Sequence, residues 1–282
     1  MAGILLHVTL AREALGLATV RGTVRSELDA SRSWLDLGAA LLDIPYLEDL
    51  WLSGLRVLAG RDIRYGIWGT LLHLRAPRLL ILGLLDRARE PEGRALALGA
   101  LTHLSVDAVF HKEIERRVLY AADGGATLDT LHKRIEDDID LHVHYERLGH
   151  SGIGTVYTRR ALTVPGSTTI PWLARFGEAI ADVHGNAPGP KRLESWRRGL
   201  SAYSMLMSWK APWLSTLPVD DPELKATSLA LADEAVALAA RHLEAGASYL
   251  SGDLDRDGFF AAIPDVSLVD GGPALPLRTG SS

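Results

Sequence analysis

The chain has 282 residues, of which 47% are hydrophobic and 23% are charged, and this composition excludes a largely disordered protein. It contains no cysteine, which excludes disulfide bonds, zinc sites made of thiolates and cysteine nucleophiles. The formal net charge of −5 provides no positive field for an extended nucleic-acid surface.

The N-terminal segment MAGILLHVTLAREAL lacks the features of a secretory signal. Its apolar stretch is short, contains His7 and is followed at once by Arg12 and Glu13. No later segment has the roughly 20 consecutive apolar residues that a membrane span requires, and the apolar run 79–85 ends at Asp86. We therefore expect a cytoplasmic protein without a transmembrane segment.

Most of the chain has the periodicity and the composition of helices, rich in Ala, Leu, Arg and Glu. The predicted helices cover residues 8–20, 33–42, 45–59, 66–74, 77–89, 93–119, 127–149, 170–184, 191–211, 221–250 and 255–262. Only the stretch 154–170, where Thr, Val and Tyr cluster, predicts a hairpin or a lid. We expect one all-α domain, a multi-helix bundle over residues 1–263, followed by an irregular tail, 264–282, that runs over the surface.

Two series of imidazole and carboxylate side chains are each spaced four residues apart, first His103, Asp107 and His111 and then His132, Glu136 and Asp140. This spacing places each series on one face of a helix. The first series lies in an apolar helix, where a buried imidazole or carboxylate needs a partner, and facing helices of a bundle hold metal ions in this way. Exposed polar residues that fall four apart by chance are the alternative. Two consecutive series favour a metal site.

Three further candidates lie upstream. His7 stands in the apolar context GILLHVTL, where a hydrogen-bonded core histidine is the alternative to a metal ligand. Asp43 directly follows an apolar run, and its alternative role is to cap a helix that starts at Pro45. His73 lies at a helix end before Pro77, where the helix dipole alone would favour a histidine.

In their order along the chain, His7, Asp43, a middle histidine, the motif HLSVDAVFH and the motif HKRIE resemble the bacterial zinc-dependent phospholipase C family, which is related to the S1/P1-type nucleases. The resemblance is densest over residues 95–140 and looser over the N-terminal part of the chain. It implies an all-helical fold of the phospholipase C and P1 nuclease type that holds a cluster of zinc ions in a cleft.

The resemblance also implies a role for each matching residue. The implied metal ligands are His7, Asp43, His73, His103, Asp107, His111, His132 and Glu136. Among them, Asp107 matches the aspartate that bridges two metals, and Asp43 matches the aspartate that binds metal and orients the attacking water, which makes it the implied catalytic residue. Secreted members add an N-terminal tryptophan, which this sequence lacks, so the expected cofactor is two or three zinc ions. Other divalent transition metals are alternatives.

The implied activity is the hydrolysis of a phosphodiester, with a phospholipid head group as one candidate substrate. Closely spaced divalent ions lower the pKa of a bridging water and hold both the attacking and the leaving oxygen of an in-line displacement at phosphorus. A nuclease or a small-molecule phosphatase using the same metal cluster is one alternative. A non-catalytic helical binding protein with a structural polar or metal site is another.

Three residues at the end of the second series and just after it are candidates for fixing the tautomers of the metal-binding imidazoles, namely Asp140, His142 and His144. Such partners accept a hydrogen bond from the ring nitrogen that does not face the metal. The alternative for all three is a helix face in contact with solvent.

Overall fold

A computed structural model describes residues 3–48, 50, 67–121, 128–161, 169–209, 216–270 and 272–276. Most of these residues are helical, and the described ranges contain no β-strand, only two isolated bridges between single residues. The all-α fold class predicted from the sequence is therefore confirmed. Within the same ranges, no helix combines the length and the hydropathy needed to cross a lipid bilayer.

Twelve α-helices and one short 3₁₀-helix follow one another along the described part of the chain. They are α1 (Gly3–Leu17), α2 (Gly22–Ala30), α3 (Arg32–Ala39), the 3₁₀-helix η1 (Ile44–Leu47), α4 (Ile67–Leu74), α5 (Pro77–Arg87), α6 (Pro91–Ala121), α7 (Leu128–Leu148), α8 (Val156–Ala161), α9 (Thr169–His184), α10 (Pro190–Ser208), α11 (Pro222–Ser251) and α12 (Arg256–Ala262). The start of α11 shows how sequence sets a boundary. Asp221 accepts a hydrogen bond from the backbone nitrogen of Leu224 (2.9 Å), and Pro222 occupies the first turn.

Helix α6 is the centre of the bundle, because it packs against α1, α2, α3, α5, α7 and α11. Its contact with α3 is unusually close, since Gly38 and Gly99 meet there without side chains. A Cβ atom on Gly99 would lie 2.1 Å from the carbonyl oxygen of Leu35, and one on Gly38 would lie 2.1 Å from that of Leu96. The crossing brings the C-terminal end of α3 against the turn of α6 that carries His103.

The structure differs from the predicted helices in four places. Residues 156–161 form helix α8 instead of a hairpin or lid, and residues 162–168 of that predicted stretch lie outside the described residues. Helix α2 has no predicted counterpart, because it is short, begins with Gly22 and has no side-chain cap. Helix α1 begins at Gly3, so that it contains His7. Of the predicted helix 45–59, the structure describes η1, and residues 51–66 lie outside the described residues.

The described part of the C-terminal segment, residues 264–270 and 272–276, is irregular, but it does not lie wholly on the surface as predicted. The side chain of Leu268 is fully buried. The backbone nitrogen of Leu268 donates to the carbonyl oxygen of His73 (2.8 Å), and that of Leu275 donates to the carbonyl oxygen of Leu74 (2.9 Å). The segment therefore returns to the end of α4, next to a residue that the sequence predicts to bind metal.

Candidate metal centre

The structure brings all eight predicted metal ligands together from five separate parts of the fold. They come from α1, from the turn before η1, from α4, from the middle of α6 and from the first half of α7. They form three groups in which the possible ligand atoms lie within 4.8 Å of one another, and the first two share His103: His7, His103 and Asp107; Asp43, His73 and His103; and His111, His132 and Glu136. The first two groups are buried and the third is half-buried.

The carboxylate of Asp107 is the centre of the cluster. His103 and His111 lie one helical turn before and after it on α6, so both imidazoles reach it from the same helix face. Their Nε2 atoms lie 3.0 Å from Oδ2 and 3.4 Å from Oδ1 of Asp107, respectively. From α1, the Nε2 atom of His7 adds a third contact at 3.1 Å from Oδ1. One carboxylate thus faces three imidazoles, as expected of a residue that bridges two metals.

His73 contacts both Asp43 and the carboxylate of Asp107. The Nε2 atom of His73 lies 3.5 Å from Oδ1 of Asp43 and 3.6 Å from Oδ2 of Asp107. Asp43 does precede η1, but its side chain makes no capping hydrogen bond. The alternative role of Asp43 as a helix cap is therefore wrong.

The third group joins the two predicted series across the contact between α6 and α7. The Nε2 atom of His132 lies 3.1 Å from Oε1 of Glu136, and the Nε2 atom of His111 lies 3.9 Å from the same oxygen. The rings of the two histidines are tilted with centroids 5.3 Å apart. This group is more accessible than the other two, so an ion there would have room for exchangeable ligands.

In four of the five histidines, the Nδ1 atom faces a fixed hydrogen-bond acceptor. Nδ1 of His73 donates to the carbonyl of Gly69 (2.8 Å), and Nδ1 of His103 donates to the carbonyl of Ala39 (2.8 Å). Nδ1 of His111 donates to the carbonyl of Val269 (3.1 Å), and Nδ1 of His132 donates to Oε1 of Glu115 (2.8 Å). A carbonyl oxygen only accepts, so Nδ1 must carry the proton. In the neutral ring, this leaves the lone pair on Nε2, the atom that points into the cluster. Histidine ligands of metals are oriented in this way in other proteins.

The contacts inside the cluster fit a bound cation better than hydrogen bonds. Oδ2 of Asp107 is buried and accepts no hydrogen bond of normal geometry, although Nε2 of His103 lies 3.0 Å away. The Nε2 atoms of His73 and His103 are 3.3 Å apart. Two ligands that each bind zinc at 2.0–2.1 Å with tetrahedral geometry lie about 3.3 Å apart. The residues present therefore fit a metal ion.

Charge within the cluster is balanced between carboxylates and imidazoles. Burial alone would raise the pKa of Asp107, but His103, His111 and His7 outweigh it and hold that pKa well below its usual value. Burial alone would lower the pKa of His103, but Asp107 and Asp43 outweigh it and raise that pKa to about 9. The same balance, with Asp107 as the main attraction, raises the pKa of His111 to about 9. Without metal, protons therefore occupy these imidazoles, and metal binding must displace them.

The cluster opens into a cavity of about 240 Å³. Besides seven of the eight predicted ligands, its lining consists of Gly3, Tyr46, Thr70, Glu115, Leu268 and Val269. No lysine or arginine is among these described lining residues, so among them only the histidines can carry a positive charge. A larger cavity of about 350 Å³ lies between Trp34 and Trp172. It contains the ion pair of Arg175 with Glu90 and no histidine, so the chemistry favours the smaller cavity.

The four acceptors that hold the Nδ1 protons, on Gly69, Ala39, Val269 and Glu115, were not among the predicted site residues. Glu115 accepts the proton of His132, and it extends the first series by a further four residues after His111, a signal that the sequence does contain. The carbonyl of Val269 has no comparable signal, because any residue type supplies a backbone oxygen.

Two of the residues predicted to support the ligands, Asp140 and His144, form a separate buried network with Thr9. His144 lies 3.1 Å from Oδ1 of Asp140 through Nδ1 and 3.0 Å from the hydroxyl of Thr9 through Nε2. Asp140, His142 and His144 are all at most 5% exposed, so the alternative of a solvated helix face is wrong for them. The contact of His144 with Thr9 joins α7 to α1, whereas Asp140 and His144 both belong to α7. These contacts hold the fold together around the cluster and leave the orientation of the ligands to the acceptors described above.

Comparison with known protein families, with curated proteins and with solved structures finds no match.

Proposed function

We propose that this protein is a zinc-dependent hydrolase that cleaves a phosphodiester, similar in fold type and chemistry to the zinc-dependent phospholipases C and the P1-type nucleases. The observation that carries the proposal is the facing pair of His73 and His103, whose Nε2 atoms lie 3.3 Å apart while both Nδ1 protons are held by carbonyls. Once the proton of His103 is displaced, the two neutral imidazoles present lone pairs to the same point, where one cation can bind both.

The donor set favours zinc over magnesium or calcium. Five imidazoles and three carboxylates form the three groups, and imidazole nitrogen is a preferred ligand of zinc, whereas magnesium and calcium select oxygen. Because His103 belongs to two of the groups and Asp107 contacts residues of all three, we expect two or three closely spaced ions. Closely spaced zinc ions lower the pKa of a coordinated water and neutralise the phosphoryl oxygens of a substrate.

The protein's own residues orient the ligands and shape the cavity. The carbonyls of Gly69 and Ala39 fix the rings of His73 and His103. Asp43 reaches the cavity wall with its carboxylate, 3.5 Å from His73 and 3.9 Å from His7. In that position it is able to accept a proton from an attacking water or to hold that water in place. Asp43 is the residue that we propose as catalytic.

The charge of the cavity supports a diester as the substrate. A phosphomonoester carries up to two negative charges near neutral pH, whereas a diester carries one. The described cavity lining contains four carboxylates and four histidines but no lysine or arginine. With the histidines neutral as metal ligands, any attraction for the phosphoryl group has to come from the metal ions. The lack of lysine and arginine in this lining disfavours binding of the more highly charged monoester. A diester with an uncharged or cationic leaving group fits the cavity better.

The proposal is tested by assaying hydrolysis of bis(p-nitrophenyl) phosphate by the zinc-loaded protein, with p-nitrophenyl phosphate as the monoester comparison. We expect activity on the diester that is lost after treatment with a chelator and restored by zinc. Asp43→Asn should abolish it, whereas His184→Gln, a substitution of a histidine on α9 outside the cluster, should leave it unchanged. Parallel assays on phosphatidylcholine vesicles and on single-stranded DNA separate a phospholipase from a nuclease.

Two outcomes of that assay would contradict the proposal. Hydrolysis restricted to the monoester would identify a phosphatase that uses the same cluster. A protein that binds zinc stoichiometrically but hydrolyses none of the four substrates would point to a binding protein with a structural metal site.

A further inference from the structure

The C-terminal segment 264–276, described here except for residue 271 and called the strap below, contacts two of the helices that carry candidate ligands. It meets the end of α4, where the backbone nitrogen of Leu268 donates to the carbonyl of His73 (2.8 Å). It also meets α6, where the carbonyl of Val269 accepts the Nδ1 proton of His111 (3.1 Å). Adjacent residues of the strap therefore contact candidate ligands of two different groups.

The strap is anchored on both sides of these contacts. Its turn is closed by the backbone nitrogen of Ser267, which donates to the carbonyl of Gly272 (2.7 Å). Beyond the turn, the backbone nitrogen of Leu275 donates to Leu74 (2.9 Å). The side chain of Leu268 is fully buried in the main hydrophobic core. Docking of the strap is therefore coupled to core packing and is not a loose surface contact.

Within the half-buried group of His111, His132 and Glu136, called the outer site below, the strap holds one of the three ligands. Without Val269, the ring of His111 loses the acceptor that keeps its proton on Nδ1. Its lone pair is then no longer fixed on Nε2, which faces Asp107 at 3.4 Å. Loss of such a supporting hydrogen bond typically weakens metal binding by roughly 10- to 100-fold.

We propose that the strap is a positioning element for the outer site, so that strap docking and metal binding at His111, His132 and Glu136 strengthen each other. The strap fixes His111 through Val269 and walls the cavity with Leu268 and Val269. This inference rests on the proposed metal cluster. It adds that the ion of the outer site depends on the C-terminal segment. By thermodynamic linkage, the factor by which docking raises metal affinity equals the factor by which metal stabilises docking.

The first test measures amide hydrogen exchange of the strap in the wild-type protein with and without zinc. We expect zinc to slow exchange at the amides of Leu268 and Leu275 by roughly 10-fold or more. In His132→Ala, which removes the outer site but leaves the strap intact, zinc should no longer slow that exchange. Equal exchange with and without zinc in a wild-type protein that binds zinc would overturn the inference.

The second test measures zinc affinity by competition with a chromophoric chelator. Leu268→Ala should weaken the most accessible zinc by roughly 10- to 100-fold and leave the others unchanged. Leu275→Ala is the matched control on the same strap, because its side chain is 43% exposed. In the background of His132→Ala, the substitution Leu268→Ala should have no further effect on zinc binding.

The outcomes separate this inference from the proposed function. A wild-type protein that binds no zinc would refute the metal cluster itself. A protein that binds zinc with the same affinity in Leu268→Ala and in the wild type would keep the cluster and overturn the role of the strap. If Leu268→Ala does not fold, the exchange experiment on the wild-type protein still tests whether zinc binding stabilises the docked strap.

Discussion

The imidazoles of His73 and His103 face each other with their Nε2 atoms 3.3 Å apart, although they belong to helices that are separated in the sequence. Each ring has already committed its Nδ1 proton to a backbone carbonyl, of Gly69 and Ala39 respectively. The two rings therefore cannot satisfy each other by a hydrogen bond unless one of them is charged. A metal ion satisfies both, and Asp43 and Asp107 lie next to the same point.

Replacing Asp107 by asparagine should empty most of the cluster. The substitution keeps the size of the side chain but removes the charge that faces His7, His103 and His111 at 3.0–3.4 Å. We expect Asp107→Asn to lose at least one bound zinc per chain in elemental analysis. Asp140→Asn is the matched control, because Asp140 is also a buried carboxylate at the same four-residue spacing but pairs with a histidine outside the cluster. Equal zinc contents in the two variants would contradict a bridging role for Asp107.

Substitution of Gly99 by alanine should separate α3 from α6. The new Cβ would lie 2.1 Å from the carbonyl oxygen of Leu35, so the backbones must move apart, at a cost of about 3 kcal/mol or more in the free energy of unfolding. Because the same crossing places the carbonyl of Ala39 against His103, zinc affinity should fall as well. Gly16→Ala is the control: nothing lies within 4 Å of its added Cβ, and alanine in a helix gains up to about 1 kcal/mol. Urea denaturation measures both, and a stable Gly99→Ala would refute the close crossing.

Removal of the carboxylate of Glu115 should weaken the outer site without unfolding the protein. Oε1 of Glu115 accepts the Nδ1 proton of His132 at 2.8 Å, and loss of such a partner costs roughly 10- to 100-fold in metal affinity. Glu113→Ala is the control on the same helix, since Glu113 binds Arg116 and Arg117 instead. Zinc competition titrations should show the loss for Glu115→Ala alone. Equal affinities for both variants would contradict the assigned role of Glu115.

The free energy of unfolding should fall in acid, partly because of one buried histidine on α11, His242. Burial lowers the pKa of His242 from 6.5 to about 4, and Arg241 adds to the effect. Above pH 6.5 the group is neutral in both the folded and the unfolded state. As pH falls from 6.5 towards 4, the unfolded state binds the proton first, so this group costs about 2 kcal/mol of stability between pH 7.5 and pH 5.

The variant His242→Gln tests that prediction by urea denaturation at both pH values. Its stability should fall less on acidification than that of the wild-type protein, by about 2 kcal/mol. Contributions from the metal cluster are the same in both proteins and cancel in the comparison. Parallel losses in the two proteins would show that His242 does not carry the effect.

The four-residue spacing on α6 and α7 correctly predicted that five of its six side chains meet, and failed only for Asp140. Imidazoles and carboxylates one helical turn apart must share a face, and an apolar helix must bury that face. The sequence also predicted the all-α class, since helical periodicity extends over most of the chain. For His7, Asp43 and His73, the prediction came from the resemblance, and the structure places all three against the same cluster. Their role as ligands stays a prediction.

The supporting contacts were beyond sequence analysis for a physical reason. The acceptors that orient His73, His103 and His111 are backbone carbonyls. Every residue type has the same backbone carbonyl, so the sequence does not mark these positions. The position of the strap depends on tertiary packing of one leucine, Leu268, in a segment whose proline and glycine content is typical of surface loops. For Asp140 the sequence pattern was misleading. This residue continues the second series at the four-residue spacing, but it lies beyond the cluster along α7.

The most direct measurement of the central claim is the metal content of the protein purified without a histidine tag, compared with that of the double variant His103→Ala/Asp107→Ala. The account predicts two or three zinc ions per wild-type chain and loss of these ions in the folded double variant. A folded wild-type protein that contains no transition metal, and that does not bind zinc on titration, would contradict it. The facing histidines would then be an imidazole and imidazolium held by buried carboxylates.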